Sequence, residues 1–276
     1  MKKIVLSFFL FISIFSFSQE NKLKFNRPFV IFEGCDEAED KERCYDIMLS
    51  EFFAKKLNTT ELKERVFNEA KKDTVIVSSY LVYNELGSIV TNFSRISLPL
   101  KDSKKETLDI MEQLPSVKPV LDKYNNGVSE AVGSIYGFLL DRNNDKVVPI
   151  LGYEPEVVPF AIIEKVPIYK GCDKNLSNED LRKCMGSKIS EIVIKNFKSK
   201  LAGRLRLSPG YVKIFVTFKI NKDGKVIDIK ARATHPKLAD EAIRVIKKIP
   251  KMDAPGYQRG KAVIVPYTLP IMFAVD

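Results

Sequence analysis

The stretch YVKIFVTFKINKDGKVIDIKARATHPKLADEAIRVIKKIPKM, residues 211–252, decides the fold class. From Tyr211 to Ile220 apolar and polar residues alternate, as in a strand with one buried face. Asn221-Lys222-Asp223-Gly224 supplies turn chemistry, and Lys225 to Ala233 alternates again, so the segment predicts a β-hairpin. Pro236 to Ile249 then changes period. Leu238, Ala242, Val245, Ile246 and Ile249 share one face of a helix that Pro250 stops, and His235 before it suits a turn or cap.

Upstream, VPIYKGCDKNLSNEDLRKC (166–184) leads into a helix with Ile189, Ile192, Val193 and Phe197 on one face. Downstream, KAVIVPYTLPIMFAV (261–275) is a last strand. The order is short strand, helix, strand, strand, helix, strand.

The first half repeats that order. FVIFEGCD (29–36) precedes Cys44 and a helix through Leu49 and Phe53, and DTVIVSSYLVYNELGSIVTNFSRI (73–96) is the hairpin, with Asn84 to Gly87 matching Asn221 to Gly224. ETLDIMEQLPSV sets Leu108, Met111, Leu114 and Pro115 against Ile243, Ile246, Ile249 and Pro250. NNGVSEAVGSIYGFLLD aligns with the last strand. A cysteine pair, a turn glycine, a helix-ending proline and a last strand in one order predict a duplication. The expected fold class is α+β, two tandem modules, each two helices on a three-stranded antiparallel sheet. The expected division is 1–19 signal peptide, 20–140 first module, 141–165 Pro-containing linker and 166–276 second module.

A chain of 276 residues, 45% hydrophobic and 29% charged, suffices for two cores and excludes a disordered or fibrous protein. Its first nineteen residues carry Lys2 and Lys3 before the apolar run Ile4 to Phe17. That run is short of the roughly 20 residues a membrane span needs, so it reads as a cleaved signal peptide, with an uncleaved anchor as the alternative. No later segment is apolar and long enough to span a membrane.

Export favours disulfides. The cysteines fall in two local pairs, Cys35 with Cys44 and Cys172 with Cys184; a zinc site is the alternative, though the chain has 1 histidine. Charge divides unevenly: residues 20–145 hold 18 basic and 22 acidic residues, a net of −4, and residues 146–276 hold 25 and 13, a net of +12. The basic half is either a solvated lysine surface or a face for an acidic partner, the other half of the chain included. Nucleic acid is not an expected partner. No HExxH, phosphate-binding loop or GxSxG is present, the acidic run Asp36 to Asp46 lacks a calcium-loop pattern, and the cysteine spacings are not those of a redox CxxC. The expectation is a non-enzymatic protein with no cofactor and no metal.

Taken together, VPFAIIEKVPIYKGCD, LRKC, the 218–252 hairpin and helix, and PGYQRGKAVIVPYTLPIMF (255–273) resemble the TonB C-terminal domain family, in its cysteine-containing Bacteroidetes-type form, over about Val157 to Asp276. The resemblance implies two helices on a three-stranded sheet, a periplasmic location, and recognition of a short segment of outer-membrane TonB-dependent receptors, or of another envelope protein, by strand addition within TonB-dependent transport. An energy transducer of that family carries an inner-membrane helix and a long spacer. Here Glu20 to Phe25 separates signal from module, a reach of about 20 Å, so a structural or interaction role in the envelope without energy transduction is the alternative.

In the last strand Val263, Val265, Tyr267, Leu269, Ile271, Phe273 and Val275 share the parity expected to face the core. Pro266 and Pro270 share the other parity and remove two donors from one edge, which marks that edge as the free one or guards it against aggregation. Donors at Ala262, Ile264, Thr268 and Met272 would remain, and strand addition is expected to concentrate at Gln258, Arg259, Gly260, Lys261, Ala262, Val263, Ile264 and Val265. Arg259 and Lys261 are either solvated or positioned for an acidic peptide.

Overall fold

A computed structural model describes residues 29–275. The expected signal peptide, 1–19, lies outside them. Among the described residues no helix is long and apolar enough to cross a membrane.

The N-terminal half runs β1 (Ile31–Phe32), α1 (Lys41–Leu57), α2 (Thr60–Glu69), β2 (Thr74–Tyr83), β3 (Arg95–Ser97), α3 (Lys104–Glu112), β4 (Val117–Lys118), β5 (Val120–Leu121), β6 (Gly127–Val128), β7 (Glu130–Asp141) and β8 (Lys146–Ile150). The C-terminal half runs α4 (Asn178–Asn196), α5 (Leu201–Arg204), β9 (Gly210–Ile220), β10 (Val226–Arg232), α6 (Pro236–Ile246), β11 (Gly256–Gln258), β12 (Lys261–Val263) and β13 (Val265–Val275).

The C-terminal sheet has order β10-β9-β13, all antiparallel. Its inner face, with Ile214, Val216 and Phe218 on β9, packs on α4 and α6 through Met185, Ile189, Leu238, Ala242, Val245 and Ile246, all buried. Ser177 caps α4, its hydroxyl accepting from the Asp180 N–H at 3.1 Å. His235 caps α6: its Nδ1 accepts from the Lys237 N–H at 3.1 Å, and Pro236 occupies the first turn.

The N-terminal sheet differs from expectation, with four strands in the order β3-β2-β7-β8 and three helices in that half. The extra strand comes from the segment 141–165 expected to be a linker. Asp141 accepts from the Asn143 and Asn144 N–H groups, Asp145 takes φ 48°, and the β-branched pair Val147 and Val148 returns along β7. Pro149 fits because it sits at a sheet edge. On α3, Thr107, Ile110 and Met111 face the core and Leu108 is exposed.

The two halves share details of turn geometry. Asn84 and Asn221 each accept on Oδ1 from the N–H groups two and four residues on, and Gly87 and Gly224 take φ 78° and 79°. The Gly87 carbonyl accepts from Val117 N–H at 2.9 Å, and the Gly224 carbonyl from Met252 N–H at 2.8 Å. A Cβ on Gly87 would come within 1.7 Å of the Val117 carbonyl oxygen, so this turn requires glycine. The four cysteines form two disulfides, Cys35–Cys44 and Cys172–Cys184, with Cα atoms 5.9 and 6.2 Å apart, which leaves no thiolate for zinc.

Candidate functional site

The C-terminal strand is continuous in sequence from Lys261 to Val275 but changes neighbours midway. Val265 to Val275 pairs with β9, in the register Val265↔Ile220 to Val275↔Gly210. Pro266 and Pro270 have no N–H to give β9, so the even-numbered residues direct their backbone groups outward. Val265, Ile271 and Val275 are buried and Thr268, Pro270, Met272 and Ala274 are exposed, as the parity predicts. No described strand lies beyond β13. Its outer edge therefore offers N–H donors at Thr268, Met272 and Ala274, with carbonyls between them.

The segment expected to take the partner, Gln258 to Val265, is engaged within the chain. Gln258 and Lys261 pair across a two-residue turn in which Arg259 and Gly260 have φ 50° and 71°, which folds β11 onto β12, with Tyr257 opposite Ala262 and Gly256 opposite Val263. Tyr257 exchanges backbone bonds of 2.9 and 3.1 Å with Lys165. Ile264 donates to the Glu156 carbonyl and accepts from the Val158 N–H, each 2.9 Å, so Val157 runs parallel beside it. That ladder stops one step later because Pro266 has no donor. Val263 and Val265 point into the core.

The side chains of this hairpin engage the connecting chain, and Arg259 reaches through to the acidic half. Arg259 forms an ion pair with Asp46 of α1 at 2.7 Å, donates to the Tyr153 carbonyl at 2.9 Å, and gives its backbone N–H to Glu164 at 2.7 Å. Lys261 pairs with Glu154 at 2.8 Å, and the Gln258 amide accepts from Glu164 N–H at 3.1 Å. Burial raises the Asp46 carboxyl above the usual range; Arg259 and a 3.1 Å hydrogen bond from Ser134 pull it back down. Two glycines of β7 admit the connecting chain: a Cβ on Gly133 would lie 2.3 Å from the Ile162 carbonyl oxygen, and one on Gly137 2.3 Å from the Tyr153 ring.

The corresponding edge of the N-terminal sheet is closed. There β8 covers the outer side of β7, and the Asn58 side chain seals β8 in turn, accepting from Val147 N–H and donating to its carbonyl, both at 2.8 Å. The remaining outer edge of the C-terminal sheet, β10, is broken by a register shift between Ile227 and Lys230, with Asp228 at φ 52° and tied to Lys219 at 2.8 Å. Sequence reasoning found the outward parity of β13 and missed the chain's own occupancy of Ile264. Among the described residues no group of three or more His, Cys, Asp or Glu is arranged to hold a metal ion.

The C-terminal half is thus an α+β unit with two helices on one face of a three-stranded antiparallel sheet, and no described strand pairs with the outer side of β13. Residues 210–275 match the family profile described as Gram-negative bacterial TonB protein C-terminal. The NMR solution structure of the Helicobacter pylori TonB C-terminal domain is 27% identical over 37% of this chain and 87% of that one, with a TM-score of 0.25. No curated protein sequence matches the chain.

Proposed function

We propose that the chain is an exported envelope protein whose C-terminal module binds an extended segment of an outer-membrane TonB-dependent receptor, or of another envelope protein, by adding it as a strand to β13. The observation that carries this reading is the unpaired outer edge from Pro266 to Ala274, beside a helix-backed sheet, in a domain that matches the TonB C-terminal family profile. Main-chain bonds to Thr268, Met272 and Ala274 supply affinity, and the flanking side chains supply selectivity. The binding segment thus moves along the strand from Gln258–Val265 to Pro266–Ala274. Thr268→Pro removes one outward donor at a position where proline fits, as at 266 and 270. Binding of receptor-derived strand peptides should weaken about tenfold, the order of one to two main-chain bonds; unchanged affinity in a folded variant sinks the proposed edge.

The N-terminal half we read as a diverged copy that keeps the scaffold and has closed its edge with β8. The matching Asn-to-Gly turns and disulfide placements support this. Cleavage after the N-terminal apolar run and a periplasmic location complete the proposal, and cell fractionation with N-terminal sequencing tests both. A second reading, an envelope interaction module with no part in energy transduction, is favoured by the ion pair that docks Arg259 on Asp46. Retention in the inner membrane with an intact N-terminus would count against it.

A further inference from the structure

The outer face of the β10-β9-β13 sheet carries a surface that the edge alone does not use. Tyr211, Phe215 and Met272 are exposed there, at 82%, 46% and 66%. They are neighbours through the register Tyr211↔Ala274, Lys213↔Met272 and Phe215↔Pro270, and Lys213 lies over the Phe215 ring at 4.8 Å. Behind them Arg232 stands opposite Phe215, and Lys230 opposite Thr217. Across the three strands the single acidic residue is Asp228, at the bulge, already held by Lys219. This face is therefore aromatic, basic and without a free carboxylate.

A strand added beyond β13 lies about 10 Å from β9 and projects every second side chain onto this same face. Lys213, opposite Met272 on the neighbouring strand, is the cation of this face nearest to it in register, and Lys230 and Arg232 add to the field from β10. We infer that the partner segment is acidic on the face-side parity: its carboxylates meet Lys213, and its small or apolar residues rest against Met272 and Phe215. This inference rests on the edge reading and names the chemical class of its ligand. An acidic strand gains Coulomb attraction here that a neutral strand of equal β propensity does not, and the gain falls as salt rises.

The test uses the full chain and three end-blocked peptides of about twelve residues, long enough for one strand, in which valine alternates with Glu, Gln or Lys. Fluorescence anisotropy is recorded at roughly 50 and 300 mM salt, where screening differs more than twofold. The Glu peptide should bind about fivefold tighter than the Gln peptide and the Lys peptide more weakly than both, with the spread narrowing at high salt. Lys213→Gln should shrink the preference, and Lys213→Glu should reverse it; Lys213 is exposed, and circular dichroism checks the fold. Equal binding of the Glu and Gln peptides, or a ranking that survives Lys213→Glu, overturns the inference. Met272→Pro, which removes one outward donor as Thr268→Pro does, should weaken binding of all three about tenfold. If it does so while Glu and Gln bind the wild type equally, the acidic preference falls and the edge stands. Full binding to Met272→Pro, or no binding of any peptide to the wild type, overturns the edge reading and the inference with it.

Discussion

The last long strands of the two halves, β7 and β13, sit in the same place in their sheets and differ in what lies beyond them. Each pairs with a central strand from a closely matching start, Tyr83↔Glu130 in one half and Ile220↔Val265 in the other. Beyond β7 the chain supplies its own fourth strand, sealed by the Asn58 amide. Beyond β13 it supplies a single bridge at Ile264 and then leaves. The difference teaches that sheet order alone does not make a binding edge; the deciding feature is where the following or preceding segment is sent.

Proline placed on equivalent edges should break this comparison open. Pro149 and the Asn58 bond to Val147 set the alternation of β8, so the Val148 N–H faces β7. Val148→Pro should cost about 3 kcal/mol through a lost ladder bond and distortion, read as a lower urea midpoint. Met272→Pro removes an N–H that faces outward and should cost less than about 0.5 kcal/mol by the same measurement. Equal losses would mean that the β13 edge is not free.

The docking of the halves gives the next effect. Burial raises the folded-state pKa of Asp46 above its unfolded value. Its protonation therefore favours the folded state, a contribution fully present below the unfolded pKa and lost as pH rises through the folded one. At neutral pH the charged carboxylate is a burden that Arg259 offsets. Arg259→Met should destabilise by about 2 kcal/mol at neutral pH, less in acid, and should raise the Asp46 pKa further, measured by carboxyl-carbon NMR. A lowered pKa would contradict the pairing.

Asn58→Ala should have a smaller effect, about 1 kcal/mol for three partly solvated hydrogen bonds, two to Val147 and one to the Ala54 carbonyl. Hydrogen exchange should show it as faster exchange at Val147 and little change along β13.

Much of this was legible in the sequence. The Asn221 to Gly224 turn, the inward parity of β13 and the cysteine pairing follow from local chemistry, and the place of His235 between a strand and a helix suits a turn or cap. What was not legible depends on distant pairings. Lys146 to Ile150 carries a proline and too few residues to declare a strand, and only the edge of β7 makes it one. Arg259 reads as a solvated charge until Asp46, far away in sequence, is brought beside it. Ile264 reads as an open donor until the turn past Ile150 carries Glu156 alongside.

That bridge at Ile264 has a consequence for competition. The segment Glu156 to Val158 is covalently part of the molecule, so it meets Ile264 at a local concentration set by the fold rather than by the solution. A free segment would have to match that local concentration to displace it, whereas the stretch beyond Pro266 meets no such rival. The connecting chain thus acts as a gatepost: it marks where a newcomer's strand must begin.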